Sequence, residues 1–207
     1  WFSAHKEIYE QEVRQPMLQL VEIICQSFAR FAPDYVPERP EKAIYRIYRD
    51  TRFSRDKTPY KTHIAAHLQH RLIEKNRGAG YYFEISHEGL GIAGGIYMPG
   101  PEQLLAIRRK IEKDHKQFEK IINSRALRRR FGDVLGDAAV RVPKGFSPDH
   151  PAASWIKYRQ LYFYVELDAR EAISPRLPSE NMAYFKPLEP FISFLNDGII
   201  ESLREED

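Results

Sequence analysis

The chain concentrates its chemistry between Arg46 and Thr62, a run reading R-I-Y-R-D-T-R-F-S-R-D-K-T-P-Y-K-T. From Lys42 to Lys61 there are seven basic residues, Lys42, Arg46, Arg49, Arg52, Arg55, Lys57 and Lys61, against only Asp50 and Asp56. The stretch therefore carries +5 in a chain of net charge +3, and the remainder sums to −2. A concentrated cationic segment on a near-neutral body gathers anions. Guanidinium groups grip phosphate or carboxylate with two parallel hydrogen bonds, and lysines add point charges. Arg46, Arg49, Arg52, Lys57 and Lys61 are the candidate anion ligands, with Ser54 and Tyr60 supplying hydroxyls. Asp50, Asp56, Tyr60 and His150 are the candidates for proton transfer, should the site be catalytic. The plainer alternative is a solvated loop in which Arg49 and Arg52 pair with Asp50 and Asp56, since most charge runs are solvent-facing. Phe53 and Pro59 argue for a pinned segment instead.

Other chemical motifs are weaker. Gly89-Leu-Gly91-Ile-Ala-Gly94 has the letters of a dinucleotide fingerprint. That chemistry needs the glycines between a strand and a helix N-terminus, and here Gly95-Ile-Tyr-Met98 continues an extended run up to Pro99, so no cofactor is expected. His63, His67 and His70 would share one face of a helix. On a strand His63 and His67 lie about 13 Å apart and His70 points the other way, so no metal site is expected. Asp149 and His150 precede Pro151, where a helix cap competes with a general base. Cys25 falls on an apolar helix face and reads as a core thiol. Neither a nucleophile-elbow, a zincin nor a Walker pattern occurs.

The elements that must position these groups follow from periodicity. Met17, Leu20, Val21, Ile24, Phe28 and Phe31 recur at helical spacing within 3–31, with Pro16 expected to kink or split the helix. Residues 32–40, with three prolines, read as a linker. Alternation in 62–70 puts Ile64, Ala66 and Leu68 on one face and His63, Ala65, His67 and Gln69 on the other, which is a half-buried strand. Strands are also expected over 80–86, 91–98 and 161–167, with a short one at 140–142. Helices are expected over 101–123 and 124–131, from Pro151, and around Leu188 to Ile199, with 169–179 as a loop. Short connections between strands imply antiparallel neighbours. The expected fold is a single α+β domain, a mainly antiparallel sheet packed against N-terminal, central and C-terminal helices.

Composition bounds the remaining classes. The chain has 207 residues, 12 Phe, 12 Tyr and 2 Trp, enough apolar material for one core and against disorder. One cysteine permits no intrachain disulfide and no cysteine metal cluster. No apolar run is long enough to span a bilayer, and no signal peptide is evident, so a cytosolic location without membrane partners is expected. The first residue is Trp rather than Met, and a few natural residues are expected to precede it.

Arg49 to Thr62, Gly80-Tyr-Tyr82, Gly94-Gly-Ile-Tyr-Met-Pro99, Leu104 to Arg108, Pro143-Lys-Gly-Phe146 and Asp149-His-Pro151 together resemble the bacterial and fungal family called domain of unknown function 2461. The resemblance spans nearly the whole chain and implies no activity, substrate or cofactor. It singles out Arg49, Asp50, Arg52, Phe53, Ser54, Asp56, Lys57, Tyr60 and Lys61, with Tyr82, Tyr97, Lys144 and His150. The leading expectation is a cleft for a small, phosphorylated anion, lined by the basic segment, the glycine-bearing strands and the Pro143 to Pro151 loop. There Arg49, Arg52, Lys57 and Lys61, together with Arg46, Ser54 and Lys144, hold the ligand and Tyr60 orients it. Two alternatives stand beside it. One is nucleic-acid binding by the same segment with Arg125 to Arg130. The other is a purely structural Arg/Asp ion-pair network.

Overall fold

The computed structural model describes residues 2–205 apart from Phe53 and Lys75. Helix α1 (Phe2–Tyr9) and helix α2 (Gln15–Phe31) are joined by a π-helical turn at Glu10–Arg14. Pro16 lies in the first turn of α2 and cannot donate a backbone hydrogen bond, and just before it the helix widens so that the Gln15 amide reaches the Glu10 carbonyl. The expected break at Pro16 is thus a widened turn. Met17, Leu20, Val21, Ile24, Cys25 and Phe28 form the buried stripe of α2. Burial pushes the Cys25 thiol up to about 11, as befits an inert core cysteine.

Strands β1 (His63–Gln69), β2 (Gly80–Ser86), β3 (Gly89–Ile96) and β4 (Leu161–Asp168) form one antiparallel sheet in that order. The register aligns Ala66, Phe83, Ile92 and Val165 on one face, and His67, Tyr82, Ala93 and Tyr164 on the other. Alternation in the sequence dictates which face is which. The first set joins the hydrophobic core; the second is polar and half-buried. The Gly89–Gly94 fingerprint lies wholly inside β3.

Between β3 and β4 run α3 (Pro101–Lys113), α4 (His115–Ile122), α5 (Arg125–Phe131) and the short α6 (Ala153–Ile156). The single helix expected over 101–123 is broken at Asp114, whose backbone leaves the helical region. No strand forms at 140–142, and Val140 is 93% exposed. Instead Leu135 and Ala138 make single bridges to Tyr162 and Tyr158. Gly136 permits this, because a Cβ there would stand 2.0 Å from the Gln160 carbonyl oxygen.

The last helix, α7 (Leu177–Glu205), is the hub: α2, α3, α4 and α5 all pack on it, and it crosses the apolar face of the sheet against β3. Gly94 lets it come close, since a Cβ there would lie 2.7 Å from Leu188 and 2.9 Å from Ile192. The helix begins well before Leu188, inside the segment expected to be a loop, and passes through Pro187 and Pro190. Each proline removes a backbone bond, but Met182, Phe185, Leu188, Phe191, Ile192, Leu195 and Ile199 are all buried, and that packing holds the helix together. Asn196 is buried with them. Its amide donates to the Ala79 carbonyl and the Tyr35 hydroxyl, and its oxygen accepts from the Ala79 amide.

Candidate functional site

The basic segment is an irregular ribbon that prolongs the β1 edge. The Tyr45 amide donates to the Ala65 carbonyl, Lys61 to Ile47, and Arg49 to Pro59, each at 2.9 Å. Tyr48 and Tyr60 form a bridge across it, and Phe2 of α1 packs on Tyr60 with ring centroids 4.6 Å apart. Tyr60 is therefore a packing residue at the ribbon's base.

Beyond this pair the tip, 50–58, closes on itself. Arg52 grips Asp50 through two side-chain hydrogen bonds of 3.0 and 2.7 Å. Asp56 accepts from the Thr58 hydroxyl and amide at 2.6 and 2.9 Å, and pairs with Arg49. Lys57 donates to the Thr51 carbonyl at 2.8 Å, and the Ser54 amide to the same oxygen at 3.3 Å. Arg52 holds the Asp50 carboxyl down to about 2, and Thr58 with Arg49 hold Asp56 lower still. Carboxylates so stabilised are weak bases. Three expected anion ligands, Arg49, Arg52 and Lys57, thus already bond within the loop, in the pattern of the solvated-loop alternative, with both carboxylates exposed and both drawn from the same segment. Phe53, expected to pin the segment, lies outside the described residues.

The Pro143 to Pro151 loop is elsewhere. The ribbon enters β1 at His63, at the sheet end where Ser86, Gly89 and Asp168 lie. The loop leads toward Leu161, on the opposite edge and at the other end, beside Ile96. Three strand spacings and a seven-residue run put these corners roughly 25 Å apart. His150 accepts from the Ala152 amide at 3.1 Å through Nδ1, and its ring packs on His115 at the start of α4. It caps the turn into α6, and Lys144 is exposed on the same loop. The expected cleft uniting ribbon and loop is therefore corrected: they stand at opposite corners of the sheet. Helix α5 packs on β4 and α7, with Arg128 paired to Asp133 and Arg130 over the Tyr184 ring, so the second basic cluster is not beside the ribbon either.

What the ribbon does border is a cleft of about 520 Å³ where α1 and α2, the ribbon's base, the β1–β2 end and the start of α7 meet. Lys61 and His63 line it together with Tyr9, Glu12, Tyr45 and an apolar wall. The Lys61 ammonium lies 5.0 Å above the Tyr45 ring, a cation–π contact. Among the described residues it forms no ion pair. Burial and the nearby Arg46 both lower its pKa, Glu84 opposing them.

Next to Lys61, on the polar face of the sheet, stands a hydrogen-bonded set. Glu84 accepts from the Tyr82 hydroxyl at 2.5 Å, the Tyr164 hydroxyl stands close to the same side chain, and His63 Nε2 lies 3.6 Å from its carboxylate. Burial and that bond raise the Tyr82 hydroxyl far above its ordinary pKa. Gly91 makes room, since a Cβ there would meet Glu84 and Tyr164 at 2.9 Å. The Tyr45 hydroxyl and His67 Nδ1 are 3.2 Å apart alongside. His70, outside the strand, packs its ring on Tyr35. Among the described residues no group of His, Cys, Asp and Glu is placed to hold a metal ion, and no helix is long and apolar enough to cross a membrane. Sequence reasoning missed Glu12, Tyr45, Glu84 and Tyr164. Strand alternation was the available signal for Glu84 and Tyr164, both on the His67 face.

The chain belongs to the family of conserved hypothetical proteins DUF2461, whose model matches residues 1–194. No curated protein and no solved structure matches it.

Proposed function

We propose that the protein binds a small anionic ligand in the cleft at the ribbon's base, with the anionic group seated on Lys61 and Arg46 adjoining. The observation that carries this reading is the state of Lys61. Its ammonium is half-buried, backed by an aromatic ring and in no ion pair among the described residues, with Arg46 and the Glu84 carboxylate both nearby. A cation less favourable than in water gains most from an incoming anion. His63 lines the same cleft, with Nε2 3.6 Å from the Glu84 carboxylate. The tip residues Arg49, Arg52 and Lys57 order the loop instead of holding the ligand.

Thermal unfolding in sulfate or inorganic phosphate, against chloride at equal ionic strength, tests the reading. Wild type is expected to gain several degrees, Lys61→Met to fold and lose that gain, and Arg52→Ala to keep it. An equal response in Lys61→Met, or none in wild type, contradicts it.

A further inference from the structure

We infer that the ligand of this cleft is an amphipathic anion, a carboxylate or phosphate head bearing a short to medium alkyl chain, and not a wholly polar metabolite. The inference rests on the anion-binding reading above and adds the rest of the molecule. Its first basis is the wall. Met17, Leu20 and Leu177 are buried at the cleft, and Ile85 adds to the same surface. A polar body placed there would lose its hydration with little to replace it. A second basis is the rim, where Ile173 is 84% exposed and Val13 38%. Two large aliphatic side chains at the mouth of one concavity form the kind of exposed apolar surface that marks a binding groove. The volume of about 520 Å³ is within the ordinary range for small-molecule sites.

Charge then fixes orientation. The charged groups of the lining are Lys61 and Glu12, with His63 and the phenols of Tyr9 and Tyr45 as its other titratable groups and Arg46 and Glu84 adjoining. Glu12 sits on the helical wall and Lys61 on the ribbon. The head is therefore drawn to the ribbon side, and the chain extends along α2 toward Ile173. Glu12 opposes the anion, so its neutralisation strengthens binding.

Calorimetric titration of the whole chain with butyrate, hexanoate and octanoate, and in parallel with butyl and octyl phosphate, tests this. All are used below micelle-forming concentrations. Affinity is expected to rise about fourfold per added methylene until the cleft is filled. Whichever head binds more tightly at equal chain length identifies the anion. Glu12→Gln is expected to tighten binding several-fold. Lys61→Met is expected to weaken every member at least tenfold. Ile173→Ser, an exposed change that spares the fold, is expected to flatten the dependence on chain length while leaving the response to inorganic phosphate intact.

If inorganic phosphate stabilises the protein through Lys61 but chain length has no effect, the inference falls and the anion reading stands. If neither inorganic nor alkyl anions bind, both fall. Octanol binding as well as octanoate, with Lys61→Met without effect, means adsorption to an apolar surface and overturns the inference. So does binding to anionic phospholipid vesicles without binding to monomeric octanoate.

Discussion

Asp50 and Asp56 show what the charges of the loop do at the scale of single residues. Both are exposed, and each is held as a carboxylate by groups only a few residues away. A depressed folded-state pKa supplies order that is present above the unfolded value of about 4 and lost as pH falls through the folded one. The Asp50 end of the loop is therefore expected to loosen as pH falls from about 4 through 2, read as falling ¹⁵N heteronuclear NOEs at Arg52, with Thr58, held by the more acidic Asp56, following only at lower pH, while the sheet stays folded. Loosening of Thr58 before Arg52, or an Arg52 amide as rigid well below pH 2 as at neutral pH, would contradict this, and Asp56→Asn is expected to loosen the loop at neutral pH. Asn196 is the buried counterpart. Its amide bonds join α7 to Ala79 and Tyr35, so Asn196→Ala is expected to cost about 3 kcal/mol by denaturant unfolding. At this scale the sequence was only partly legible. Arg49 and Lys61 look alike in it, and they differ because Asp56 reaches one guanidinium while a tyrosine ring, not a carboxylate, backs the other residue's ammonium.

Among the elements, the strands were the most readable because alternation is a local property. Ile64, Ala66 and Leu68 could only share a face, and they define β1. The ends of α7 were not readable, since Pro187 and Pro190 are local helix breakers and what overrides them is burial against four other helices and the sheet. The same contact makes a prediction. Gly94 is where α7 touches β3, so Gly94→Leu is expected to destabilise by about 1–3 kcal/mol through overpacking. The exposed Gly132, around which a Cβ would meet nothing within 4 Å, has no such clash, although its positive φ makes any side chain there strained. A Gly94→Leu protein as stable as wild type would mean that α7 can move off the sheet freely.

For the whole molecule, antiparallel register decides which motifs can cooperate. The ribbon enters the sheet at one corner and the Pro143 to Pro151 loop leads into it at the opposite one, a separation invisible until strand order is known. The N-terminal helices, far from the ribbon in sequence, supply the other wall of the cleft through Tyr9, Glu12 and Met17. Their contribution is a tertiary fact that no motif announces. The most direct test is nuclear magnetic resonance of the ¹³C-methyl- and ¹⁵N-labelled chain during titration with octyl phosphate. Anion binding at the ribbon's base requires that the Met17, Ile85 and Ile173 methyls and the Lys61 amide shift together and saturate, while Arg52 and Thr58 stay still. Saturating shifts confined to the 50–58 tip or to the loop carrying Lys144 and His150 would contradict it.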